Sequence, residues 1–177
     1  MRYTYHYQSP LGAMLLAADD LGLTGLWFEE QKYFANHLAA DAVEQDLPVF
    51  RKAAEWLDIY FSGKDPGFEL PLHFVGTDFQ QEVWHILCSI PYGQTMTYGE
   101  IATRLAHQRG GPHMSAQAVG GAVSHNEISV IVPCHRVVGT KGNLTGYAGG
   151  IAKKIELLKL EGAFQESFYV PKKSTAP

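Results

Sequence analysis

The sequence predicts a mixed α/β chain, of the α+β kind, in two parts: a small antiparallel sheet with helices, then a helix-rich C-terminal part. Three observations carry this. Residues 3–28 hold three short segments of strand character separated by turn residues. From Thr77 on, helical periodicity dominates, and two helix starts are marked by threonine three residues before Gln or Glu. The chain has 177 residues, 46% hydrophobic and 18% charged, an ordinary globular composition long enough for one domain or two small ones.

The elements follow in order. Tyr3, Tyr5 and Tyr7 alternate with polar residues, the period of a strand with one buried face. Ser9-Pro10-Leu11-Gly12 reads as a turn, residues 13–18 as a second strand, 19–22 as a turn and 23–28 as a third strand. Such short connections predict a three-stranded antiparallel meander. Residues 31–40 read as a helix. Residues 48–61 read as a stronger one, with Phe50, Ala54, Leu57 and Phe61 on one face and Pro48 suited to its first turn. Residues 62–76 read as a linker. Thr77 with Gln80 forms a capping box before a helix bearing Phe79, Val83, Ile86, Leu87 and Ile90. Thr97 with Glu100 opens a second helix through Leu105, and a third runs over 115–123. The apolar run 128–132 then reads as a strand. Three short helices and a strand are the order of a helix-turn-helix with a wing. A last helix covers 151–160 with Ile151, Ile155 and Leu158 on its apolar face. The tail after Gly162 is expected to thin out. The domain reading is therefore 1–76, 77–162 and a tail 163–177.

Composition excludes several classes. No apolar run approaches bilayer length, and the N-terminus lacks the apolar core of a secretory signal. Two cysteines, Cys88 and Cys134, build neither a disulfide framework nor a cysteine-rich zinc site. A reducing, cytoplasmic setting is expected, with no membrane association and no metal. Cys88 is expected in the core. Residues 1–76 carry 5 Lys+Arg against 11 Asp+Glu, and residues 77–177 carry 9 against 7. The acidity thus belongs to the N-terminal part, and the C-terminal part can approach a phosphate backbone.

Two features carry chemistry. Ser115-Ala116-Gln117-Ala118-Val119-Gly120-Gly121-Ala122-Val123 is a helix with adjacent interior glycines, each costing about 1 kcal/mol relative to alanine. Either close helix packing or close approach of a ligand backbone would need that bare surface. A face of Ala and Gly suits a narrow groove, where shape outweighs base code. Pro133-Cys134-His135-Arg136-Val137, after the apolar run, presents a thiol beside an imidazole, the usual means of making a thiolate nucleophile. In a regular strand, however, Cys134 and His135 would point to opposite faces and need a water or a turn between them. A histidine base also needs a group to fix its tautomer. Glu161 and Asn126 are the candidates, although a helix-end glutamate can equally be solvated.

Over 77–162 the sequence resembles the methylated-DNA–protein-cysteine methyltransferases, or O6-alkylguanine-DNA alkyltransferases. The match rests on Phe79-Gln80, Val83-Trp84, Ile90-Pro91-Tyr92-Gly93, Thr97-Tyr98-Gly99 and Ile101-Ala102. It continues through Ala118-Val119-Gly120, Asn126, Pro133 to Val137, Gly146 to Gly150, Lys154, Leu157-Leu158 and Glu161-Gly162. The resemblance implies a ribonuclease H-like N-terminal domain and a winged helix-turn-helix that binds duplex DNA through the minor groove and flips out the damaged base. It implies Cys134 as the nucleophile that keeps the alkyl group, His135 as base through a water, and Glu161 as the residue that orients His135. Tyr98 would protonate the departing guanine at N3, and Asn126 would fix the link between recognition helix and active-site strand. Tyr98, Ser115, Ala116, Gln117, Ala118, Gly120 and Arg136 would contact DNA. Tyr147, Ala148 and Gly149 would line the alkyl pocket. The implied partner is double-stranded DNA containing alkylated guanine, met by a monomer, with no cofactor.

The sequence departs from the family pattern in three places. Gln117 stands where many members carry an arginine that fills the flipped base's place. The loop 106–113 looks longer than usual, and its Arg109 or His113 is a candidate to compensate. Glu127 follows Asn126 where proline is common, an expected loosening of that hinge. Two competing readings are a non-catalytic binder of alkylated bases and a Cys-His hydrolase. The first lacks the cysteine in known relatives, and the second needs an oxyanion hole that nothing here suggests. Gln117→Ala is expected to slow repair in duplex far more than reaction with the free alkylated base. Parallel transfer assays on the two substrates check this, and equal effects would remove any role for Gln117 in flipping.

Overall fold

The computed structural model describes residues 1–31, 34–35, 38 and 40–171. The chain divides into two compact units. The first is Met1–Val75 with Glu127–Ser129, and the second is Gly76–Asn126 with the residues from Val130 on.

In the first unit the expected meander forms. Strands β1 (Tyr3–Ser9), β2 (Gly12–Ala18) and β3 (Leu23–Phe28) pair antiparallel, with Tyr5 opposite Leu16 and Leu16 opposite Leu26. The first turn closes through Ser9, whose hydroxyl donates to the Gly12 carbonyl at 2.7 Å and accepts from the Leu11 N–H. A short fourth strand, β4 (Val43–Glu44), pairs parallel to β1, so the sheet has four strands in the order β3-β2-β1-β4 rather than three. Two residues give too little periodicity to read from sequence. Helix α1 (Pro48–Phe61) starts on its proline and buries Phe50, Ala53, Trp56, Leu57 and Tyr60. Ala54 and Phe61, expected on that face, sit at its margin. The Phe50 ring stacks on Tyr5 at 5.6 Å, and Tyr7 donates its hydroxyl to Asp58 at 2.6 Å. The helix expected over 31–40 falls partly on residues 32, 33, 36, 37 and 39, outside those described. The described residues there are not helical.

β3 is an edge strand, and its free polar groups are covered by chain from elsewhere. Leu23 donates to Pro71 O at 2.8 Å and accepts from His73 N at 2.7 Å, so the end of the expected linker is tied to the sheet. Glu127–Ser129 occupies the same edge further along, with Ile128 bridged to Leu26.

In the second unit, Thr77 caps helix α2 (Asp78–Cys88) with a complete capping box. Thr97 ends strand β5 (Met96–Thr97) and caps helix α3 (Tyr98–Gln108), which runs past the expected Leu105. Ser115 caps helix α4 (Ala116–Ser124). The three helices pack on one another, and Trp84 of α2 donates its indole N–H to Ala122 O at 2.9 Å. Cys88 is exposed, not in the core. It ends α2 one residue beyond the buried Ile86-Leu87 pair, on the solvent side.

The strand expected over 128–132 is not formed. Residues 129–132 are turns and a bend, and Val130 takes a left-handed φ of +69°. Cys134–Arg136 is a single turn of 3-10 helix. The run is apolar because it is buried, not because it is extended. The wing pair is instead β5 with strand β6 (Val137–Val138), parallel, with Thr97 opposite Val138. Helix α5 (Ile151–Leu160) has the expected bounds. The tail does not thin out at Gly162. Ala163 joins a core cluster with Val138, Leu144 and Leu158, with Phe164 and Phe168 packed on it. Tyr169 exchanges backbone hydrogen bonds with Gly142 and Leu144. Of the expected loose stretch 171–174, residues 172–174 lie outside those described.

Candidate active site

The wing pair assembles the site. Tyr98 follows β5 directly, and β6 begins directly after the Cys134–Arg136 turn, so pairing the two strands brings Tyr98 to the thiol. Cys134 is 5% exposed. Burial pushes its thiol pKa up, against a hydrogen bond from the Asn126 side chain and the charge of Lys154. Asn126 Nδ2 also donates to Val132 O at 2.9 Å. One buried amide thus holds both the turn before the cysteine and its sulfur.

Glu161 ends α5 and is buried. Its Oε2 lies 2.5 Å from His135 Nε2, and its Oε1 accepts from Arg136 Nε at 2.7 Å and from Gly93 N at 3.3 Å. Gly93 sits at φ +80°, the left-handed region that favours glycine. Burial alone would raise the Glu161 pKa. Hydrogen bonds from His135 and Arg136, the charge of protonated His135 in acid and the Arg136 charge outweigh it and hold the carboxyl at about 2. Burial lowers the His135 pKa despite Glu161, so the imidazole is neutral at pH 7. A neutral imidazole facing a carboxylate through Nε2 carries its proton there, which makes Nδ1 the basic nitrogen. Tyr147 is buried with its ring edge-on to His135 at 6.4 Å.

Because Cys134 and His135 lie on a 3-10 turn, the strand alternation invoked to separate them does not apply. Arg136, expected at the DNA surface, is 8% exposed and bonds Glu161 and Ile90 O, the latter at 2.7 Å. Its charge is used inside the fold. Lys154 was not singled out by composition or spacing. It is fully buried, donates to Val137 O at 2.5 Å and Thr145 O at 2.8 Å, and burial lowers its pKa to about 8. The available signal was a lysine seven residues before Glu161, two helical turns away on the buried face of α5. Thr145 O accepts from Tyr98 as well, at 3.2 Å, so one carbonyl joins Tyr98 to Lys154. Burial, then the Cys134 charge, raises the Tyr98 pKa to about 12.

Outside this buried cluster, Ser115, Ala116, Gln117 and Ala118 are exposed on α4 and Gly120 is half-buried. A groove of about 660 Å³ runs beside them, lined by Tyr98, Gln117, Gly120, Gly121, Thr140 and Thr145 among others. A Cβ on Gly121 would meet nothing within 4 Å, and one on Gly120 would meet only the Tyr98 ring at 3.9 Å. Helix packing therefore does not require the glycine pair. Ala148 and Gly149 are half-buried and do not line this groove, whereas Gly146 does. Arg109 is engaged by Glu82 at 2.6 Å and lies over the Phe79 ring at 5.3 Å. Among the described residues no group of three or more His, Cys, Asp or Glu side chains could hold a metal ion. No helix among them is long and apolar enough to cross a membrane.

Fold and site together define a class: a small sheet unit joined to a helix-turn-helix unit that holds a buried thiol beside a histidine–glutamate pair. Residues 1–74 match the family described as 6-O-methylguanine DNA methyltransferase, ribonuclease-like domain, and residues 78–163 match its DNA binding domain. The chain belongs to that family. The methylated-DNA–protein-cysteine methyltransferase of Methanosarcina barkeri is 47% identical over 154 residues, 87% of this chain and 93% of that one. The Mycobacterium tuberculosis protein of the same name is 45% identical over 159 residues, 88% of this chain and 92% of that one. The crystal structure of M. tuberculosis O6-methylguanine methyltransferase aligns with a TM-score of 0.77 at 44% identity, over 92% of this chain and 94% of that one. That of M. tuberculosis OGT in complex with DNA aligns at 0.78 and 43% identity, over 91% and 93%.

The carboxylate junction makes the fold acid-sensitive. Glu161 is held below its ordinary 4.5, so its contribution is present above that pH and is lost as pH falls towards about 2. The lowered His135 adds a loss that begins as pH falls below 6.5. Urea denaturation across this range should show Glu161→Gln less stable at pH 7. The variant should also lack the limb below pH 4.5, which is worth roughly 3 kcal/mol in the parent.

Proposed function

We propose that this chain repairs DNA directly. Cys134 takes the alkyl group from O6 of an alkylated guanine, or from O4 of an alkylated thymine. The observation that carries this reading is the buried Cys134–Asn126–His135–Glu161 cluster beside an exposed small-residue helix. In this reading 77–162 is the alkyltransferase domain, 1–76 the N-terminal domain with its linker and 163–177 the tail. Residues Ser115, Ala116, Gln117, Ala118 and Gly120 face the minor groove of duplex DNA, and the target base is flipped into the groove beside Tyr98. Arg136 is left out of the DNA contacts because its guanidinium is buried.

The steps balance without a cofactor. His135 Nδ1 takes the Cys134 proton through a water, and Glu161 stabilises the imidazolium that forms. The Asn126 amide and the Lys154 ammonium support the thiolate. Sulfur attacks the alkyl carbon, the carbon–O6 bond breaks, and the electron pair leaves with guanine. Tyr98, held protonated by its raised pKa, hands a proton to N3 and is reprotonated from solvent, which takes up the proton His135 acquired, so in balance the Cys134 proton ends on guanine. The product is a thioether that no group in the site can cleave, so each molecule acts once. Tyr147, buried against His135, borders the space for the alkyl group, while Ala148 and Gly149, which do not line the groove, are left out and Gly146 takes their place. The protein works as a monomer in the cytoplasm.

Incubation with a duplex carrying one O6-methylguanine should add a single methyl group to Cys134, read by peptide mass spectrometry. An unmodified Cys134 under binding conditions would reject the reading. Gly121→Leu, whose Cβ would meet no protein atom within 4 Å, should leave the melting temperature at or above that of the parent. It should weaken duplex affinity by about tenfold, corresponding to roughly 1.4 kcal/mol. Unchanged affinity by fluorescence anisotropy would move the DNA face off this helix.

A further inference from the structure

We propose that Glu127 and Trp27 are positioning residues for the nucleophile: their hydrogen bond anchors a strained turn that sets the Asn126 amide on the Cys134 sulfur. The inference rests on Cys134 being the alkyl acceptor, as proposed above. Its thiol readout stands independently of that reading.

Glu127 occupies the position where proline is common in the family, and a looser hinge was expected there. Its side chain is instead 5% exposed, and Oε2 accepts from Trp27 Nε1 at 2.6 Å. The backbone around it is docked just as firmly. Leu26 N donates to Glu127 O at 2.8 Å, and Ser129 N donates to Leu26 O at 2.9 Å. Ser129 Oγ donates to Gln31 Oε1 at 3.2 Å, and that oxygen also accepts from Phe28 N at 2.9 Å. Glu127–Ser129 thereby belongs to the first unit, while Asn126 before it and Val130 after it belong to the second.

Val130 shows what this docking sustains. It is β-branched, fully buried and at φ +69°, a region such residues rarely enter. Strain of this kind persists only where the surroundings over-determine it. On one side Val130 is fixed by the docked segment. On the other it leads to Val132, whose carbonyl accepts from Asn126 Nδ2 at 2.9 Å and from Cys134 N at 2.8 Å. Release of the docked segment lets Val130 relax to negative φ. The chain direction then changes between Asn126 and Val132, and the amide leaves the sulfur. A donor to sulfur favours the thiolate over the thiol. Lys154 from α5 and Tyr98 from α3 also face the thiol, with His135 and Arg136 beside it in the chain, and neither variant below alters any of them.

The test measures alkylation of Cys134 by iodoacetamide against pH, by peptide mass spectrometry, in a Cys88→Ser background. Duplex affinity and melting temperature are recorded in parallel. Glu127→Ala and Trp27→Phe should move the pH midpoint of Cys134 upward by about one unit and slow its alkylation near neutral pH about tenfold, with duplex affinity kept. Glu127→Gln, which keeps an acceptor oxygen for Trp27, should stay close to the parent. A lower melting temperature with an unmoved midpoint in both Ala and Phe variants would overturn the inference and leave only a stabilising contact. Trp27→Phe removes the donor together with part of the buried ring, leaves Glu127 in place, and decides the matter if Glu127→Ala does not fold. A shifted midpoint in a chain that transfers no methyl group from DNA would sink the repair reading and keep this one. Normal transfer with an unmoved midpoint would do the reverse.

Discussion

A carboxylate taken out of water must be met by donors from every side, and at Glu161 they come from two separate stretches of chain. His135 and Arg136 reach it from the Cys134 turn, and Gly93 reaches it from the turn after α2. An ion buried this way is strongly destabilising if one partner is removed, because the remainder is left uncompensated. The junction therefore dictates other choices. Gly93 needs left-handed backbone to aim its N–H. Arg136 must turn inward, where it also satisfies Ile90 O. His135 is fixed as one tautomer. The end of α5 is pinned, and with it Lys154, which binds the carbonyls on which β6 and the Tyr98 hydroxyl converge.

The site's charges are thus internal. The surface beside them is bare: α4 presents Ala and Gly at a helical cost of about 1 kcal/mol for each interior glycine, and no protein atom fills the space over Gly121. Under the proposed reading, the base enters beside Tyr98 from that bare surface and the thiol waits under it, deprotonated only when its base and donors act together. A cysteine with a raised pKa is poor at indiscriminate alkylation, which suits a reagent that is used once.

Elements whose signal is local were legible in the sequence. The alternation of Tyr3, Tyr5 and Tyr7 gave the first strand, the threonine caps gave the starts of α2 and α3, and apolar spacing gave α5 its bounds. Cys134, His135, Glu161 and Asn126 were named and do converge. What escaped depends on burial. The run 128–132 is continuous and apolar, and a buried run does not reveal by periodicity whether it is extended. Its polar backbone is satisfied by Asn126 and by the β3 edge, both distant in sequence or side-chain mediated. Arg136 was expected at the DNA and Lys154 was given no role, because composition cannot see that a carboxylate and three carbonyls await them. Cys88 read as core from its place in the first capped helix. Glu127 read as a loosened hinge, since nothing local tells of an indole a hundred residues earlier.

Nitrogen NMR of the His135 imidazole tests the central claim, a neutral ring that donates from Nε2 to a buried Glu161 carboxylate. A single tautomer is expected at pH 7, protonated at Nε2, that gains its second proton only below pH 6.5. A ring protonated at Nδ1, or an imidazolium at pH 7, would contradict it.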